Sequence, residues 1–249
     1  MADTLLRKEE YANLASREYF YWWNIGRRLI LRSVLGRHIK TNRSLILDVG
    51  CGSGGNILFL KNFGPVVGLD ASDTALSFCR DKGFQELVLG DAQKNISYSN
   101  NHFNVVSAFD VLEHLPDDLG ALKEMSRVCS PGGLVFVTVP ALPFLWGPHD
   151  EYLGHQRRYT KKKLKKDFTR LGLDVLEASY FVMPAIPFIV TRRYLEKISK
   201  KNTQSHSFDV ILPSWLNFTL IGWLKVERFL LNLFPLAFGS SLYIIARKK

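Results

Sequence analysis

Between residues 45 and 180, short apolar runs alternate with stretches of helical spacing. This alternation constrains the chain more than any other feature, because strand, helix and strand in succession close into a parallel sheet flanked by helices. The runs are residues 45–49, 66–70, 86–89, 105–109, 134–139 and 173–180. The first four stop at a Gly, an Asp or a polar residue, and the fifth stops at Pro140. Open α/β sheets bind ligands outside the carboxyl ends of their strands, so the residues directly after these runs are where chemistry is expected. Ahead of the sheet, residues 9–35 read as one or two helices carrying the aromatic run 19–23, then Arg27, Arg28 and Arg32. Behind it, residues 181–239 interrupt what would otherwise be a hairpin between 173–180 and a last run, 242–246. The expected organisation is a helical cap (1–40), an α/β core (41–180), a helical insertion (181–239) and a final core strand (240–249).

A chain of 249 residues, 47% hydrophobic and 22% charged, can bury a core of its own without disulfides. Its three cysteines, Cys51, Cys79 and Cys129, cannot all pair and lack metal-type spacing. With no signal-peptide pattern at the N-terminus, a cytoplasmic location is expected. The formal charge of +10 favours anionic partners without selecting one. The uncharged stretch 229–246 is as long as the lower limit for a membrane span. Pro235 and the break Gly239-Ser240-Ser241 interrupt it, so a helix end, a turn and a strand are expected instead.

The sharpest local signal is Asp48-Val49-Gly50-Cys51-Gly52-Ser53-Gly54-Gly55, between the first strand and a helical pattern over 56–63. Glycines here allow a tight turn and let a ligand approach backbone N–H groups. Gly50, Gly52 and Gly55 also satisfy the dinucleotide fingerprint, which keeps a nicotinamide-dependent oxidoreductase as an alternative. Asp48 argues against it, because a carboxylate two residues before the first glycine would repel a pyrophosphate yet could hold a cationic ligand.

This loop resembles motif I of class I S-adenosylmethionine-dependent methyltransferases, and further stations agree in order. Gly68-Leu69-Asp70 ends the second strand, Gly90-Asp91-Ala92 follows the third, and residues 103–115 resemble the fourth-strand block of that family. The resemblance implies a Rossmann-like, seven-stranded, mostly parallel sheet with helices on both faces and an antiparallel last strand. It implies S-adenosylmethionine as cofactor, bound by Asp48, Gly50, Cys51, Gly52, Gly54, Asp70, Ala71, Asp91, Ala92, Phe109 and Asp110. In it, Asp70 would hold the ribose hydroxyls and Asp91 the adenine amino group. A subgroup related to quinone biosynthesis is similar over the N-terminal helix and the loop after the fifth strand.

That loop, residues 140–159, gathers histidines, arginines and aromatics where loops carry function. Acceptor recognition is expected from Trp146, Arg157, Arg158 and Tyr159, joined by Trp22, Trp23, Arg27 and Arg28 of the N-terminal helix. Aromatic residues argue for a hydrophobic acceptor and the arginines for an anionic group on it, a combination found in prenyl or lipid-linked compounds. His114 is the foremost candidate base, with His149 and His155 behind it. The spacing from His149 to His155 matches no standard zinc site, so no metal is expected. The run Lys161-Lys162-Lys163-Leu164-Lys165-Lys166 reads as a solvated helix face. The basic residues match no nucleic-acid module, so none is expected as a partner. With Lys200, Lys201, Lys225 and Arg228, the apolar insertion is expected to let the protein rest on anionic membranes without spanning them. A non-catalytic, methyltransferase-like binding module is the second alternative.

Overall fold

The computed structural model describes residues 16, 18–39, 41–187, 189–191 and 212–249. The expected helix start at Glu9 and the basic pair Lys200-Lys201 lie outside them. The N-terminal helix, α1 (Trp22–His38), starts after the exposed turn bearing Tyr19 and Phe20. Its own N-cap residue, Tyr21, supplies no side-chain cap. Asn217, from the other end of the chain, does so: its Oδ1 accepts the Trp22 N–H at 2.8 Å while its Nδ2 donates to the Phe20 carbonyl at 2.8 Å.

The core then alternates as its apolar runs require. Strand β1 (Ile46–Val49) is buried throughout, as is β2 (Val66–Asp70). Between them the expected helix over 56–63 shrinks to one turn, α2 (Ile57–Leu60). The Asn62 side chain donates back to the Phe59 carbonyl at 2.8 Å and ends it. There follow α3 (Asp73–Asp81), capped by the Ser72 hydroxyl, β3 (Leu87–Leu89), β4 (Phe103–Phe109) and α4 (Asp118–Val128), capped by Asp117. Strand β5 (Cys129–Pro140) begins earlier than its apolar run, because Cys129 pairs with Phe103 before the ladder resumes at Val105 and Leu134. After the short α5 (Pro148–Tyr152) comes α6 (Lys161–Arg170), whose lysines are at least partly exposed while Leu164, Asp167 and Phe168 are buried. Strand β6 (Leu173–Phe181), helix α7 (Ser214–Leu231) and strand β7 (Ser241–Lys248) complete the described elements.

The seven strands form one sheet in the order β3-β2-β1-β4-β5-β7-β6. β1 to β5 pair in parallel, and β7 runs antiparallel between β5 and β6, giving the expected hairpin with β6. Alternate side chains of each strand enter separate cores. Phe136, Tyr243 and Ile245 pack with Ile30, Leu31, Ile221 and Leu224 on one face, whereas Val135, Val137 and Ile244 pack with Leu122, Met125, Leu164 and Phe168 on the other.

The segment between β6 and β7 therefore contributes α7 to the same core as α1. The two helices meet at Gly26, where a Cβ would fall 2.1 Å from Leu224 Cδ1. The buried Glu227 of α7 accepts the backbone N–H groups of Val182 and Met183, and burial raises its carboxyl to about 7. No helix among the described residues is long and apolar enough to cross a membrane.

Candidate active site

The β1–α2 loop is folded by backbone hydrogen bonds. Gly50 and Cys51 N–H groups both donate to the Leu69 carbonyl, at 2.7 and 3.0 Å, and so tie the turn to β2. Gly50 has φ +66°, and a Cβ there would meet Val111 Cγ2 at 2.4 Å. Gly52 also has positive φ, at +56°, yet a Cβ on it would meet nothing within 4 Å. The space beside its Cα is thus open at the carboxyl edge of the sheet, where a ligand can approach closely.

Three carboxylates border this loop. Asp48 is buried, and its Oδ1 accepts from the Ser107 hydroxyl at 2.8 Å, while Oδ2 has no partner among the described residues. Burial, only partly offset by Ser107, raises its pKa to about 7. Asp70, at the end of β2, accepts the Gly52 N–H on Oδ2 at 2.8 Å and the Ser72 N–H on Oδ1 at 2.9 Å. A carboxylate offers about four acceptor positions, so these bonds leave Asp70 with acceptor capacity to spare; burial raises its pKa, and the N–H groups of Ser72, Gly52 and Ala71 pull it back. Asp91, after β3, is half-buried, and its Oδ1 accepts the Gln93 N–H at 2.9 Å. Ala71, which follows Asp70, is exposed, and Ala92, which follows Asp91, is buried.

The segment before and within α1 covers this edge. Glu18 is buried and accepts from the Ser53 hydroxyl and from Lys82 Nζ, which also donates to the Ser53 carbonyl at 2.7 Å. Arg28 donates to the Glu18 carbonyl. Arg27 reaches the ends of β4 and β5: its Nη2 lies 2.7 Å from Asp110 Oδ2 and donates to Thr138 Oγ1 at 2.9 Å. Its guanidinium sits 5.7 Å from the centre of the Phe109 ring. Trp22 is buried and Trp23 half-buried, and their rings meet edge to face at 5.9 Å.

The loop after β5 folds back on the turn after β4. The Asp150 carboxylate is wholly buried and holds three groups: the Gly147 N–H at 2.9 Å, Arg158 Nε at 2.8 Å and His155 Nδ1 at 2.9 Å. Arg158 Nη1 donates to the Ala141 carbonyl at 3.0 Å. Arg157 pairs with Asp118 at 3.0 Å, and the buried Tyr159 hydroxyl donates to the same carboxylate at 2.8 Å. Trp146 Nε1 makes a long contact of 3.4 Å with Glu151. His114 and His155 meet edge to face, ring centres 4.8 Å apart, with the fully buried Glu113 beside them. Burial pushes the Glu113 carboxyl well above its usual range, and burial with the neighbouring His155 lowers His114 to about 4. His149 is half-buried, in α5.

Of the expected cofactor residues, Asp48, Gly50, Cys51, Gly52, Gly54, Asp70 and Ala71 sit at the ends of β1 and β2, Asp91 and Ala92 after β3, and Phe109 and Asp110 at the end of β4. Cys51 is buried, and its thiol is pushed up by Cys79 and by burial, so it lines the loop as a neutral side chain. The expected acceptor residues divide differently. Arg27, Arg157 and Arg158 each have an internal carboxylate partner, and Tyr159 is a core residue, so these four serve the fold in this conformation. Sequence reasoning missed Glu18, Lys82 and Thr138, whose partners come from distant segments, and Glu113, for which an acid following the apolar pair Val111-Leu112 was the one local signal. The expectation of no metal rested on the cysteine spacing and on the His149 to His155 spacing, whereas the fold sets His155 beside Glu113 and His114.

Residues 47–137 match a family described as "Methyltransferase domain". Demethylmenaquinone methyltransferase of Staphylococcus haemolyticus is 38% identical over 106 residues, covering 39% of this chain and 44% of that one. The chain thus matches less than half the length of that curated relative. Among solved structures, a Thermotoga maritima protein described as an S-adenosylmethionine-dependent methyltransferase, possibly a histamine N-methyltransferase, superposes with TM-score 0.60 at 16% identity, over 97% of both chains. Phosphoethanolamine N-methyltransferase 2 of Haemonchus contortus, in complex with S-adenosylhomocysteine, superposes with TM-score 0.56 at 17% identity, over 98% of this chain and 60% of that one. Residues 47–137 thus match a methyltransferase domain, and the chain shares its seven-stranded fold with solved structures described as S-adenosylmethionine-dependent methyltransferases.

Proposed function

We propose that this chain binds S-adenosylmethionine along the carboxyl ends of β1 to β4 and transfers its methyl group to a hydrophobic acceptor. The observation that carries this reading is the convergence at one sheet edge of the open space beside Gly52, the Asp48 oxygen without a partner among the described residues and the spare acceptor capacity of Asp70. These fit a nucleoside that carries a positive charge near its far end. When bound, the cofactor supplies a methyl carbon open to in-line displacement, with a neutral thioether as leaving group. Asp70 would hold the ribose hydroxyls and Asp91 the adenine amino group, with Ala71 and Ala92 as neighbours in sequence, and Asp48, with Phe109 and Asp110, would hold the cationic end.

The chain's own contribution is then to hold two reactants in line and exclude water, an effect that reaches roughly 7–11 kcal/mol in well-oriented systems. Proton removal by His114 has less support, because a group at about 4 is a weak base at neutral pH. The arginines expected to face an anionic acceptor would have to leave Asp110, Asp118 and Asp150 to do so. Apolar character in the acceptor is therefore the firmer half of the reading, and the similarity to a demethylmenaquinone methyltransferase agrees with it.

A peripheral position on anionic membranes belongs to the same proposal. Along the outer face of α7, Trp215 and Phe218 are 69% and 70% exposed, and Trp223, Val226 and Phe229 continue the apolar surface beside the exposed Lys225. Vesicle flotation should show binding that rises with anionic lipid, falls with salt and weakens in Phe218→Ser; no binding at low salt removes the membrane role. The reaction is tested by incubating a cell extract with the protein and methyl-labelled cofactor. Label should appear in an organic-soluble compound, and label confined to protein, nucleic acid or water-soluble metabolites refutes the acceptor class.

A further inference from the structure

We propose that Glu113, His114 and His155 bind one divalent ion of the first transition row. One ligand atom from each residue lies within 4.8 Å of the others, so a modest contraction brings all three to a shared ion. Two imidazoles and one carboxylate suit Zn²⁺, Co²⁺, Mn²⁺ or Fe²⁺ better than the oxygen-seeking Mg²⁺ and Ca²⁺. Three protein ligands also leave coordination positions open.

Two independent observations point to a cation. Glu113 is wholly buried, and neither carboxylate oxygen has a hydrogen-bond partner among the described residues. Its acidic neighbours are matched, Asp110 by Arg27 at 2.7 Å and Asp150 by Arg158 at 2.8 Å, so these arginines act on Glu113 only through space and it has no direct ion pair among the described residues. The second observation is how His155 is held. With its Nδ1–H donated to Asp150 at 2.9 Å, its Nε2 carries a free lone pair, as when a carboxylate orients a metal-ligating histidine. Asp150 is itself fixed by the Gly147 N–H and Arg158, and the Gln156 N–H donates to the Glu113 carbonyl at 2.6 Å, tying the two loops together. The inference concerns ion binding alone and stands whether or not the proposed reaction does.

The test is titration of the purified full chain with Co²⁺, followed by visible absorption and isothermal calorimetry, with Zn²⁺ as competitor. One equivalent should bind, with absorption bands typical of nitrogen coordination that Zn²⁺ abolishes. Glu113→Gln, which keeps side-chain shape, and His155→Ala should each weaken binding at least tenfold, while His102→Ala, at an exposed histidine away from the cluster, should not. Circular dichroism of each variant confirms that it is folded. Absence of binding to the wild-type chain overturns the site, as does equal binding by folded Glu113→Gln and the wild type.

Discussion

Cofactor binding should be coupled to a proton at Asp48. Its carboxyl is raised to about 7 by burial, and one oxygen lacks a partner, so near neutral pH the free protein holds a mixture of protonated and ionised forms. A cationic ligand end beside that oxygen favours the ionised form and lowers the pKa in the complex. The affinity is therefore full above the free-protein value of about 7 and is lost as pH falls through it. Below that value each pH unit costs about 1.4 kcal/mol, so binding of S-adenosylmethionine should be about tenfold tighter at pH 8 than at pH 6. Calorimetry in buffers of different ionisation enthalpy should detect release of about half a proton at pH 7 and close to none at pH 8.5. Asp48→Asn should bind more weakly at pH 8 and lose this pH dependence. A pH-independent affinity in the wild type, or the same proton release in Asp48→Asn, would refute the role given to this carboxylate.

Other perturbations test the frame around the site. Arg158→Ala removes a partner from the wholly buried Asp150 and should cost about 3 kcal/mol of stability, measured by urea unfolding. A variant as stable as the wild type, with turnover alone reduced, would return Arg158 to acceptor binding. Gly26→Val forces a side chain against Leu224 and should cost about 1–3 kcal/mol, part of which Leu224→Ala should restore in the double variant. Strict additivity of the two substitutions would show that α1 and α7 do not meet there.

The sheet was legible in the sequence because its inner strands are buried on both faces and so read as apolar runs. The candidate cofactor edge was legible for the same reason: Gly50, Gly52, Asp70 and Asp91 each stand at the end of such a run or within three residues after it. What could not be read were charges neutralised across the fold. Arg27, Arg157 and Arg158 look like free cations in the chain, yet Asp110, Asp118 and Asp150 claim them only after β4, α4 and α5 have been placed. Glu113 escaped notice beside His114 because no spacing rule joins two adjacent residues to a histidine on another loop. The junction of α1 with α7 was hidden too, since Gly26 has no meaning until Leu224 is set against it.

The central claim, an S-adenosylmethionine site with Asp70 as its ribose anchor, is tested most directly by calorimetric titration of S-adenosylhomocysteine into the wild-type chain and Asp70→Ala. The wild type should bind one equivalent. The variant loses hydrogen bonds to a charged acceptor, each of which contributes about 1.5–3 kcal/mol, and should bind at least tenfold more weakly while remaining folded. Equal affinity in the two proteins, or binding of a nicotinamide dinucleotide in place of S-adenosylhomocysteine, would contradict the assignment.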